Sequence, residues 1–152
     1  MVCVRSRRKE VTAMSMGIIG SGEIGTAVAR LAVAADIDVV IANSRGPQSL
    51  SGLVQELGQR ALAGTVEEAV HAGEATLLSI PLSAYSFLPE GLLNGKTVLD
   101  TGNYCPSRDG RIAELDSEEV TMTEHAQRIL PARERTLEVG DFAGAGPGTP
   151  CP

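Results

Sequence analysis

Apolar residues in this chain fall into short runs, and these runs alternate with stretches of helical period. Met16-Gly17-Ile18-Ile19 is compact enough to read as a buried strand. Past the glycine-rich segment Gly20 to Gly25, residues Ile24, Val28, Leu31, Ala32 and Ala35 recur at helical spacing. Val39-Val40-Ile41-Ala42 is a second strand. Gly46-Pro47 marks a turn, and Leu50, Leu53, Val54 and Leu57 form the stripe of a second helix, stopped by Gly58. Arg60 to Ala63 is a short, weak third strand. Thr65-Val66-Glu67-Glu68 is a capping-box pattern that starts a brief helix through His71, ended at Gly73. Ala75 to Ile80 is the most apolar continuous run and reads as a central strand, stopped by Pro81. Tyr85 to Leu93 is a helix or an irregular crossover. Thr97 to Asp100 is a fifth strand, and Pro106 to Asp116 reads as a loop. Thr121 and Glu124 open a last helix with Ala126, Ile129 and Leu130 as its stripe.

Strands alternating with helices imply an α/β fold with a parallel sheet covered on both faces. The expected fold is a Rossmann-type doubly wound parallel sheet of three layers, missing its last strand or strands. Residues 1–15 lack either periodicity and are expected to be a disordered arm. Residues 16–131 form the domain. Beyond Pro131 the sequence turns charged and then rich in glycine and proline, so residues 132–152 are expected to be an irregular tail.

The chemistry concentrates where the first strand meets the first helix. Gly20-Ser21-Gly22-Glu23-Ile24-Gly25 is a complete G-x-G-x-x-G between a strand and an amphipathic helix. In that setting Gly20 permits the turn, Gly22 lets the backbone approach a pyrophosphate, and Gly25 lets the helix pack on the strand. Uncapped amides and the helix dipole favour phosphate at that point. The end of the second strand selects the cofactor. A carboxylate that would hold ribose hydroxyls is replaced by Asn43-Ser44-Arg45. Ser44 can donate to a 2′-phosphate and Arg45 can pair with it, so the expectation is NADP(H) rather than NAD(H). A solvated Arg45 beside a turn is the plainer alternative. Ile80 and Pro81, after the central strand, lie where a nicotinamide ring needs an apolar wall, although Pro81 equally serves to end a strand. Asn103 follows the fifth strand and suits a cofactor amide or simply a turn. No catalytic acid or base stands out: Asp100 reads as buried at a strand end, and His125 as a solvated helical histidine.

Composition narrows the class. The 152 residues are 43% hydrophobic and 21% charged, which fits a folded globular domain. Aromatics are only 3%, so the core must be aliphatic. The net charge is -6, and four of the 13 basic residues (Arg5, Arg7, Arg8 and Lys9) lie in the first ten, leaving a more acidic body. That balance argues against a nucleic-acid surface. No apolar run is long enough to span a bilayer. Cys3, Cys105 and Cys151 show no metal-ligand or C-x-x-C spacing, so no metal is expected. Free thiols in a reducing cytoplasm are the simplest reading, with Cys105 a plain loop cysteine.

Three blocks carry a resemblance to a known family. Gly20 to Gly25, Asn43-Ser44-Arg45-Gly46-Pro47 and Asp100-Thr101-Gly102-Asn103-Tyr104 resemble the NADP-binding domain of the coenzyme F420-dependent NADP oxidoreductases. Arg108-Asp109-Gly110-Arg111-Ile112 looks like that family too, and the resemblance covers about 16–131. The Asn-Ser-Arg-Gly-Pro block is its specific part; the glycine motif alone also fits pyrroline-5-carboxylate reductases. The resemblance implies hydride transfer between NADP(H) and the deazaflavin coenzyme F420 as co-substrate. It implies that Gly20, Ser21, Gly22, Glu23, Ile24 and Gly25 hold the pyrophosphate, that Ser44 and Arg45 hold the 2′-phosphate, and that Ile80, Pro81 and Asn103 border the nicotinamide. The expected partner is a small-molecule redox acceptor, with a homodimer as candidate assembly. Relatives continue into a further strand and a second part. Here the tail reads as a truncated or frameshifted end, so a stand-alone NADP(H)-binding module without turnover and an imine reductase are the alternatives.

Overall fold

The computed structural model describes residues 14–130 and the strand at 136–138. Six parallel strands form one sheet: β1 (Ser15–Ile19), β2 (Asp38–Ala42), β3 (Ala61–Ala63), β4 (Ala75–Leu78), β5 (Thr97–Asp100) and β6 (Thr136–Glu138). Their spatial order is β3-β2-β1-β4-β5-β6. The chain runs outward from β1 to β3, then returns to the other side of β1 to lay down β4. This is the doubly wound order of Rossmann folds, and it reverses direction between β1 and β4.

The helices are α1 (Glu23–Ala34), α2 (Ser51–Leu57), α3 (Val66–Ala72), α4 (Pro106–Asp109), α5 (Ala113–Asp116) and α6 (Met122–Ile129). They divide the apolar side chains into two cores, one on each face of the sheet. Ile18 and Leu77 face one way and pack with Ala29, Ala32, Leu50 and Leu57 of the α1 and α2 layer. Their chain neighbours Ile19 and Leu78 face the other way and pack with Val70, Leu82, Tyr85, Leu93 and Ala126. Successive strand residues thus serve opposite cores, which is why the strands read as continuous apolar runs.

Several details differ from what periodicity suggests. The buried residues of α1 are Gly25, Ala29 and Ala32, while Ile24 and Leu31 are 48% and 70% exposed. The helix lies close to the sheet, so its fully buried residues are small, Val28 is partly buried against the core, and Ile24 and Leu31 point outward. β1 starts at Ser15, one residue inside the expected arm; the rest of that arm lies outside the described residues. Pro106 to Asp116 is two single-turn helices rather than loop. Most of 132–152 lies outside the described residues, but the stretch is not irregular throughout and the sheet does not stop at β5. β6 pairs in parallel with β5, with Val98 opposite Thr136 and Asp100 opposite Glu138. The outer edge of β5 carries unpaired amides and carbonyls that three further residues satisfy. Thr136-Leu137-Glu138 holds a single apolar residue, so no apolar run marks it in the sequence.

Candidate functional site

The carboxyl ends of β1, β2 and β4 open onto a cavity of about 630 Å³, a size typical of small-molecule sites. It lies at the reversal of strand order, where open α/β sheets bind their ligands. Its lining divides by chemistry. One part is Gly20, Ser21 and Gly22 with Asn43, Ser44 and Arg45; the other is Ile80, Pro81, Ala84, Phe87 and Leu88, with Val66 from the start of α3.

The polar part is built around the turn between β1 and α1. Gly20 has φ +113°, and a Cβ there would stand 2.0 Å from the Ser79 carbonyl oxygen. A Cβ on Gly25 would stand 2.0 Å from the carbonyl oxygen of Gly20. Both glycines are therefore demanded by the protein's own packing. Gly22 differs. Its φ is -74°, open to any residue, and a Cβ there meets nothing within 4 Å. Gly22 is also the N-cap of α1, and no side chain caps that helix. Its first amides are left for something else.

Beyond β2, Ser44 and Arg45 are exposed on the cavity wall. Asn43 is fixed between them and the glycine turn. Its amide nitrogen donates to Ser21 Oγ at 3.0 Å, and its carbonyl oxygen accepts the Arg45 backbone N–H at 3.0 Å. Other arginines have anionic partners: Arg30 pairs with Glu56, Arg60 with Asp38, Arg108 with Asp109 and Arg128 with Glu114. Among the described residues the Arg45 guanidinium has none.

The cavity thus gathers eight of the twelve residues singled out in the sequence: Gly20, Ser21, Gly22, Asn43, Ser44, Arg45, Ile80 and Pro81. Glu23, Ile24 and Gly25 form the first turn of α1 behind it and do not line it. Asn103 is exposed and outside the lining; its carbonyl accepts from the Arg108 guanidinium. Ser79, Val66, Ala84, Phe87 and Leu88 were not singled out. Ser79 was findable, since anything just after β4 must reach the reversal point. Phe87 was not: it is 85% exposed at the end of a 3-10 turn over Leu82–Phe87, whose spacing matches neither regular period.

The buried polar groups lie beyond the cavity. The Tyr85 hydroxyl donates to Asp100, which also accepts the Gly102 N–H at 2.7 Å. Burial, reinforced by the Asp100 charge, pushes the Tyr85 phenol well above its ordinary value. The Asp109 side chain is fully buried against Arg108. Burial alone would raise its pKa, but hydrogen bonds from Arg108 and the Cys105 N–H hold it below the usual carboxylate range. His125 is not solvated: its side chain is 12% exposed and contacts Glu114. Cys105 is 1% exposed and disulfide-bonded rather than a plain loop cysteine. Among the described residues there is no cluster of His, Cys, Asp and Glu suited to a metal, and no helix long and apolar enough to cross a membrane.

A glycine turn at the head of α1, at the switch point of a doubly wound sheet, defines a dinucleotide-binding α/β domain. Residues 15–104 match the family of coenzyme F420-dependent NADP oxidoreductases, and the chain belongs to that family. Among solved structures it is similar to the hypothetical protein SMa0349 from Sinorhizobium meliloti, with 28% identity over 78% of this chain and 57% of that one and a TM-score of 0.61. An imine reductase from Aspergillus terreus, solved with NADPH4 and dibenz[c,e]azepine, shares the fold at 21% identity and a TM-score of 0.50, over 83% of this chain and 55% of that one. The chain therefore spans between half and three-fifths of the length of these structures. No curated protein sequence matches it.

Proposed function

We propose that the cavity binds NADP(H), and that the chain serves hydride transfer between this cofactor and a deazaflavin- or flavin-type acceptor. The observation that carries the reading is the pairing of two unmet features on one wall. Among the described residues, Gly22 keeps clear a space that no protein atom fills, at an uncapped helix start, and Arg45 offers a guanidinium that no carboxylate takes. A diphosphate fits the first and a 2′-phosphate the second. Gly20 to Gly22 would carry the diphosphate, and Ser44 and Arg45 the 2′-phosphate. Ile80, Pro81 and Ala84 would give the nicotinamide an apolar wall that excludes water. The cofactor supplies the hydride, so the protein's task is alignment.

Titration of the chain with NADPH and NADH side by side tests this. A clear preference for NADPH is expected, and equal affinity would count against it. Turnover is tested by NADPH oxidation with flavin, deazaflavin and cyclic imine acceptors. The second reading is an NADP(H)-binding module without turnover. Tight NADPH binding with no oxidation by any acceptor would favour it.

A further inference from the structure

Asn43 sits between the two proposed phosphate sites, and its amide is spent on protein rather than left for a ligand. Its nitrogen donates to Ser21 Oγ and to Ser49 Oγ, each at 3.0 Å. Its oxygen accepts the Arg45 N–H at 3.0 Å and lies 3.1 Å from Ser49 Oγ. The Ser49 hydroxyl has one proton, and the Gly46 carbonyl at 2.7 Å is its nearer acceptor. Ser49 thus accepts from Asn43 and donates to Gly46, closing the loop that carries Arg45. Rotating the amide by half a turn would set its NH₂ against the Arg45 N–H, donor against donor, so the network fixes its orientation.

From this geometry we infer that Asn43 is a positioning residue: it ties the Ser21 turn to the Arg45 loop and sets the distance between the diphosphate and 2′-phosphate sites. The inference rests on the NADP(H) reading above. It assigns Asn43 a role that Ser44 and Arg45 do not share, because its polar atoms act through Ser21, Ser49 and the Arg45 backbone. The geometry also accounts for the residue type. Aspartate would lose both donors and place a negative charge beside a phosphate. Glutamine would be one methylene too long for the fixed spacing, and serine has one donor where Ser21 and Ser49 take two.

The test compares wild type, Asn43→Ala, Ser49→Ala and Arg45→Ala as full chains, titrated with NADPH and with NADH. Asn43→Ala should weaken both dinucleotides by about tenfold, since both sites lose their tether. Ser49→Ala should weaken both in the same direction by less, and Arg45→Ala should weaken NADPH alone. If Asn43→Ala weakens NADPH only, or neither ligand, the positioning role is overturned. A ligand-free readout separates this failure from failure of the cofactor reading. Hydrogen exchange in the Ser21–Gly22 segment and at the Arg45 amide should speed up together in Asn43→Ala. Unchanged exchange at either place overturns the tether. If wild type binds neither dinucleotide while exchange responds as expected, the cofactor reading falls and the tether stands. Should Asn43→Ala fail to fold, Ser49→Ala carries both measurements.

Discussion

The two halves of the domain are held together differently. From β1 to β4 the chain is joined by backbone ladders, close helix packing and short polar links at the sheet's rim. Gly20 and Gly25 are required there because backbone carbonyls occupy the space where side chains would go. From Ser79 to Leu130 the helices are mostly single turns, and buried polar tethers replace length. Tyr85 reaches across to Asp100 at the end of β5, and Arg108 and Cys105 hold the Asp109 carboxylate. The first half makes the polar rim of the cavity, and the second makes most of the apolar wall opposite. A short element without a long ladder needs such tethers to keep its position, because few backbone hydrogen bonds cross from it to the sheet.

The largest expected effect separates two glycines within the first half. Gly25→Val drives a side chain into the Gly20 carbonyl and should cost about 3 kcal/mol or more, read as a fall in the urea unfolding midpoint. Gly22→Val should change stability by less than about 1 kcal/mol, because its Cβ enters open space, yet abolish binding of both dinucleotides. Equal stability losses in the two variants would erase the distinction between packing glycine and ligand glycine. Next, Arg45→Ala removes a charge-assisted contact and should weaken NADPH by roughly 2 kcal/mol, about thirtyfold, while NADH is unaffected. An unchanged NADPH-to-NADH ratio would place the 2′-phosphate elsewhere.

In the second half, Tyr85→Phe deletes a buried donor to Asp100 and should cost about 1–2 kcal/mol in unfolding free energy. It carries a pH signature. The folded-state pKa of Tyr85 is raised above the ordinary 10.0, so the folded chain holds this proton more tightly than the unfolded chain does. Its contribution is fully present below about pH 10 and is lost as pH rises beyond that. Wild type should therefore lose stability above pH 10 more steeply than Tyr85→Phe. Parallel pH curves would mean that the phenol is not held as described. The smallest effect lies at the centre of the sheet, where Thr76 is fully buried and its hydroxyl has no partner among the described residues. Thr76→Val keeps the shape and removes that desolvated group, so thermal unfolding should show a gain of up to about 1 kcal/mol. A loss instead would reveal a hydrogen bond to that hydroxyl.

The two halves were also unequally legible in the sequence. In the first, each strand end carries a glycine, proline or capping residue, and the Thr65 box was visible before its hydrogen bonds to Glu68 were seen. Five of the six strands were readable from local pattern, as was the G-x-G-x-x-G with Asn43-Ser44-Arg45, since short apolar runs and adjacent motif residues are local signals. α1 misled, because periodicity records which residues are apolar and not how near the sheet the helix lies. In the second half, α4 and α5 are each a single turn, too short to show a period. His125 drew its partner Glu114 from a different helix.

By itself the sequence determined the strand–helix alternation, the glycine turn ahead of α1 and the Asn43-Ser44-Arg45 block after β2, because each is written in neighbouring residues. Only the tertiary structure decided the strand order that brings β4 beside β1, the addition of β6 to the β5 edge, and the exclusion of Asn103 from the cavity. It also decided that Gly22, unlike Gly20 and Gly25, has open space where a Cβ would stand. These outcomes depend on groups far apart in the chain meeting across a sheet, and no local spacing encodes such a meeting.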